Sequence, residues 1–125
     1  MQNVEEKVKE VFDEVGAEVT GIRSMVLASL DGLPIVSNVE STEHKNRISA
    51  MVSALVALAR RMGPDLKTGE LEGVSVDFSD GKIFCYNIED RVIMAVATQK
   101  NINLGLLNLI IPGAIEKIKG ILSGG

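Results

Sequence analysis

One histidine, one cysteine and no tryptophan leave this chain few groups with which to do chemistry. His44 stands in Glu43-His44-Lys45-Asn46, at what reads as the first turn of a helix, and its expected state there is solvated. A zinc site of the usual kind needs further His or Cys ligands, and none stands nearby. Cys85 falls in the middle of a strand-like run, where a small buried apolar residue is the expected role and a reactive thiolate the alternative. Nothing in the spacing joins Cys85 to His44 as a nucleophile and its base. Gly63-Pro64-Asp65-Leu66-Lys67-Thr68 has the flavour of a phosphate loop, but it lacks the Gly before Lys and does not follow a strand. Gly69 and Gly73 do not form a dinucleotide fingerprint. Glu89-Asp90 and the Asp77/Asp80 pair read as turn formers rather than as a paired acid and base. The expectation is a chain that is not an enzyme and that holds no cofactor and no metal.

The composition narrows the class further. At 125 residues, one domain spanning 1–125 is expected, large enough for a core without disulfide or metal. The hydrophobic fraction is 46% and only four residues are aromatic, so that core must be aliphatic. A net charge of −4 argues against nucleic acid as a partner, since a phosphate backbone asks for a basic face. The lone cysteine fits a reducing compartment. The first residues, Met-Gln-Asn-Val-Glu-Glu, put acids where a signal peptide carries bases. The longest uncharged stretch, Asn101 to Ile115, is too short and too interrupted to enter a bilayer. A soluble, cytoplasmic protein is expected.

The elements follow from periodicity. Residues 3–15 carry Val4, Val8, Val11, Phe12 and Val15 on one helical stripe, with Gly16 as the expected stop. Residues 22–30 read as a strand apolar on both faces, hence interior to a sheet. Asp31-Gly32 turns the chain into a strand at 33–38, which Pro34 consigns to a sheet edge. Ser41 or Thr42 caps a helix expected to run to about Met62 and to end at Gly63-Pro64. Three strands come next: 71–78, 82–88 and 91–98, the last apolar on both faces. Asn103 caps a final helix that Pro112 should bend or delay, and 123–125 reads as a frayed tail. Tight turns make the five strands mostly antiparallel, in an α+β arrangement with helices on both faces.

The middle helix is unusual. From Ile48 to Ala59 it carries no charge. Ile48, Met51, Val52, Leu55, Ala59 and Met62 share one face at helical spacing, the expected buried stripe. The opposite face carries Ser49, Ala50, Ser53, Ala54 and Ala57, where a surface helix would place Lys and Glu. Small residues there suggest a second body packed close, and in so short a chain that body is expected to be another protein.

Three segments together resemble the Roadblock (dynein light-chain) family, in particular its prokaryotic gliding-motility GTPase-regulator type. They are Met25-Val-Leu-Ala-Ser-Leu-Asp-Gly-Leu-Pro-Ile-Val36, the Ala-rich helix from Ile48 to Ala59, and Asn101-Ile-Asn-Leu-Gly-Leu-Leu107 after a hydrophobic strand. Their order and spacing match over roughly residues 5–120. The resemblance implies a five-stranded antiparallel sheet of order 2-1-5-4-3. The middle helix lies on one face and the terminal helices on the other. It also implies a homodimer or heterodimer in which third strands pair edge to edge and middle helices lie side by side. On that basis Ala50, Ser53, Ala54 and Ala57 of the helix and Gly73, Val74, Ser75, Val76 and Asp77 of the strand are the expected dimer contacts.

Members of this kind bind small Ras-like GTPases or serve as adaptors, so the implied function is a homodimeric regulatory module for such a GTPase. A scaffold subunit without GTPase regulation and a small-ligand sensor are the alternatives. Glu43, Arg47, Ser49, Arg60 and Arg61 are the expected partner contacts, chosen by position. Arg60 and Arg61 invite an arginine-finger reading. The reading preferred here is that they favour the helix C-terminus and bind its last carbonyls.

Overall fold

The computed structural model describes residues 2–39 and 41–124. Its elements, in order, are α1 (Val4–Glu18), β1 (Ile22–Ser29), β2 (Pro34–Ser37), α2 (Thr42–Leu66), β3 (Gly73–Asp77), β4 (Gly81–Ile88), β5 (Val92–Gln99) and α3 (Leu104–Leu122). The strands form one antiparallel sheet ordered β2-β1-β5-β4-β3. Pro34 stands on an edge strand, as a residue without an N–H requires. Alternation along the central strands sends Met25, Leu27, Met94 and Val96 to one side and Ile93 and Ala95 to the other.

The two faces are unequally covered. On one, α1 and α3 lie together and bury Val8, Phe12, Leu107, Ile111 and Ile118 against the sheet in a large aliphatic core. On the other, α2 alone contributes Val52 and Val56 to a small core with Cys85, Ile93 and Ala95. Five strands at about 4.8 Å spacing are roughly 20–24 Å across, whereas a helix with its side chains covers about 10 Å. Two helices therefore roof one face, and a single helix leaves part of the other bare.

Two helix ends depart from the sequence expectation, and the start of α3 keeps to its expected cap. α1 continues through Gly16 to Glu18 because Val15 and Val19 extend its buried stripe by one more turn. The reversal into β1 is made instead by Gly21, at φ +101°. α2 passes through Gly63 and Pro64 and ends at Lys67, whose backbone is left-handed (φ 57°). Pro64 forfeits only the bond its missing N–H would make, and the Thr68 N–H donates to the Gly63 carbonyl at 3.0 Å to close the end. Gly63 is needed for a different reason: a Cβ there would collide with the Gly69 carbonyl oxygen of the returning loop. α3 starts at Leu104 without waiting for Pro112, capped by the Asn103 side chain, which accepts from the Leu106 N–H at 3.0 Å. Of the expected tail, Gly125 lies outside the described residues.

Candidate protein-interaction site

The phase of α2 is the main correction to the sequence reading. Its buried face is Ser49, Val52, Ser53 and Val56, while Met51 and Met62, expected inside, are 57% and 52% exposed. Leu58 (60%) and Leu66 (63%) are exposed beside them. With half-buried Leu55, these residues make an apolar ridge at spacings of three and four along one flank of the helix.

Ser49 and Ser53 are small because their own chain presses on them. Ser49 has no accessible surface and Ser53 has 9%. The Ser53 hydroxyl donates to the Leu30 carbonyl at 2.6 Å. A Cβ on Gly32, in the β1–β2 turn, would stand 3.3 Å from Ala50 Cα and 3.6 Å from Ser53. The close-packed body is thus this chain's own turn, and Ser49 and Ser53 cannot meet a partner. Ala50, Ala54 and Ala57 remain exposed on the outward side of the helix.

Beside the ridge lies a trough. Its floor is the uncovered sheet, with Ser24, Val26, Val76, Ile83, Ala95 and Ala97, and its walls are Ile48, Met51, Leu55 and Phe78. It encloses about 290 Å³, almost all of it lined by carbon. It continues past Phe78, Ile83 and Ala97 towards Arg23 and Gly81 at one end. A second hollow, between Met62, Leu66, Gly73 and Val74, lies at the other.

β3 borders this region as the open edge of the sheet. The Phe78 N–H donates to the Gly81 carbonyl, and the Glu72 carbonyl accepts from Asn87 N–H. Even-numbered residues therefore face β4, and the backbone groups of Gly73, Ser75 and Asp77 face outward without a strand to pair with. Val74 and Val76 are half-buried beneath α2. The edge guard Asp77 is held by Lys82 Nζ at 3.0 Å.

The charged residues expected to touch a partner are all exposed on α2. Arg47 pairs with Glu43 one turn back at 2.9 Å. Arg60 Nε sits 3.4 Å from Asp90 Oδ1, so it braces the β4–β5 turn instead of the helix's last carbonyls. That turn is built without glycine: Glu89 and Asp90 both take left-handed backbone, at φ 52° and 53°. Arg61 forms no ion pair among the described residues. The two groups weighed for nucleophilic chemistry lie apart in character. His44 is exposed, and Cys85 is buried between α2 and the sheet, where burial pushes its thiol up to about 11. Its neighbour Tyr86 is pushed up to about 12, first by burial and then by Cys85. Among the described residues no cluster of His, Cys, Asp and Glu is arranged to hold a metal, and no helix is long and apolar enough to cross a membrane.

The fold, the bare half-face and the open edge describe a protein-interaction module. The Roadblock/LC7 domain profile matches residues 7–98, and the chain belongs to that family. Solved structures with the same fold include MglB of Myxococcus xanthus (TM-score 0.85, 17% identity, covering 95% of this chain and 97% of that one). A gliding protein MglB from Thermus thermophilus is similar at TM-score 0.85 and 13% identity over 100% of this chain and 95% of that one. A Roadblock/LC7 domain from Streptomyces avermitilis reaches TM-score 0.85 at 19% identity, over 91% of this chain and 96% of that one. An uncharacterized protein of Methanocaldococcus jannaschii is 29% identical over 101 residues, 81% of this chain and 88% of the relative.

Proposed function

We propose that the chain is a homodimeric, non-catalytic adaptor that presents paired α2 helices to a small Ras-like GTPase and modulates its nucleotide cycle. The observation that carries the dimer is the half-roofed sheet. A second α2 would cover the bare strands with the ridge of Met51, Leu58, Met62 and Leu66, and pairing of β3 with its copy would satisfy the open edge. A helix pair plus a strand pair could reach the order of 1,600 Å² that stable interfaces bury. Family likeness supports self-association as well, since one solved relative is described as MglB with tetrameric arrangement.

The register follows from the edge. Antiparallel pairing centred on Ser75 sets Asp77 opposite Gly73 and Val74 opposite Val76. Like charges stay apart, and branched side chains meet across the strands. Ala50, Ala54, Ala57, Glu43, Arg47 and Arg61 would then lie on the outward surface of the helix pair, and Arg60 at its ends.

The GTPase comes from the family resemblance, and capture tests it. The immobilised protein is offered a native lysate containing GTP-γ-S or GDP. Recovery of a small GTPase that depends on the nucleotide supports the reading. Recovery of an assembly irrespective of nucleotide favours a scaffold subunit instead.

A further inference from the structure

We propose that Arg23 locks the dimer by receiving the C-terminal end of α2 from a second copy of the chain. This rests on the self-association reading above and adds to it a residue and a polarity. Arg23 is aimed by two separate devices. It is the extra residue where the β1–β5 register shifts between Ile22 and Ser24, and a bulge of this kind re-aims a side chain. Its guanidinium then crosses β5 to lie over Gly81, a position where a Cβ would meet first the Thr98 carbonyl oxygen at 2.7 Å and then Arg23 Nη1 at 3.1 Å. Gly81 shares its face with Ile83 and Cys85 by strand alternation, so the guanidinium lies on the α2 side, at the end of the trough. Arg23 is exposed and has no ion-pair partner among the described residues; the one carboxylate bordering the same hollow, Asp80, forms none either.

The complementary feature is the far end of α2. Cations there would oppose the negative pole of the helix, but the last turn contains no basic residue and does contain Asp65. Lys67 caps the backbone just beyond and forms no ion pair with Asp65 among the described residues. The Asp65 carboxylate, between Arg61 and Lys67 in the sequence, is left without an ion pair among the described residues at one end of the helix, and an unpaired guanidinium stands beside the other.

Two-fold symmetry brings them together. The N-terminal half of α2 lies beside Phe78, and Met62 and Leu66 lie beside Gly73 and Val74. A two-fold axis normal to the sheet, midway between the paired Ser75 residues, reverses every in-plane direction. It therefore carries the partner's α2 down the trough with its C-terminal end leading towards Phe78, Gly81 and Arg23. The bare trough thus has a preferred occupant: the apolar ridge of a second α2, whose last turn brings the Asp65 carboxylate towards Arg23.

The test is sedimentation equilibrium on the full chain as wild type, Arg23→Glu, Asp65→Arg and the double variant, each checked for an unchanged far-ultraviolet dichroism spectrum. Each single reversal should weaken dimerisation by about tenfold or more, and the double variant should recover to within about threefold of wild type. Such rescue is something a merely structural role for either residue would not produce. A wild type that dimerises while Arg23→Glu dimerises equally well overturns the lock and leaves the dimer standing. So does a double variant whose losses simply add. A wild type that stays monomeric removes the dimer and the lock with it.

Discussion

Replacing Leu58 by Ala probes the proposed interface with little risk to the fold, because 60% of that residue faces solvent in the single chain. Fully burying a leucine side chain is worth about 1.5–3 kcal/mol, so covering the exposed share is worth about 1–2 kcal/mol. Two-fold symmetry counts the contact twice, giving about 2–4 kcal/mol per dimer. The dissociation constant should rise by roughly 30- to 700-fold, at tenfold per 1.4 kcal/mol. Sedimentation equilibrium across the micromolar range reads this directly, and thermal unfolding of the separated monomer should barely move. Leu109→Ala supplies the control. Leu109 is 74% exposed on α3, on the opposite face of the sheet, and its loss should leave association unchanged. If Leu58→Ala dimerises like wild type, or if Leu109→Ala is the variant that dissociates, the bare half-face has been assigned to the wrong occupant.

Two further outcomes test the packing. Gly63→Ala should destabilise the protein by about 1–3 kcal/mol in urea unfolding, since its methyl group would meet the Gly69 carbonyl; Gly113→Ala, with open space around it, should stabilise by about 0.5–1 kcal/mol. Stability should also fall as the medium becomes alkaline. The unfolded chain releases the Cys85 proton from about pH 9 upwards, whereas the folded chain holds it until about pH 11. The contribution is therefore complete below pH 9 and is lost as the pH rises towards 11. It amounts to about 2–3 kcal/mol, and Cys85→Ala should remove this component from the pH profile of urea unfolding.

Much of the fold was legible because local signals and burial agree. Pro34 marked an edge, Asp31-Gly32 a reversal, and the doubly apolar run at Val92–Ala97 a central strand. The helix ends were misread where packing overrules a breaker, as at Gly16, where Val15 and Val19 hold the next turn down. The phase of α2 was misread for a deeper reason. Hydrophobic periodicity records that a side chain avoids water without recording what covers it. Met51 and Met62 therefore looked like core, although within one chain they meet solvent. The serines looked free, although the β1–β2 turn comes too close for anything larger. Leu58, the centre of the ridge, went unassigned because it belongs to neither of the two faces read from the spacing. Arg23 gives no signal in the sequence at all: its role depends on a bulge and on a glycine nearly sixty positions away.

The far rim of the sheet sets a limit on growth. A sheet with two receptive rims would go on recruiting copies and become a ribbon. Here β2 is only four residues long and begins with a proline that has no hydrogen to give, so its rim is blunt. The proposed recruitment through β3 would therefore stop at a closed pair, with β2 as the rim that keeps the sheet from growing into a fibre.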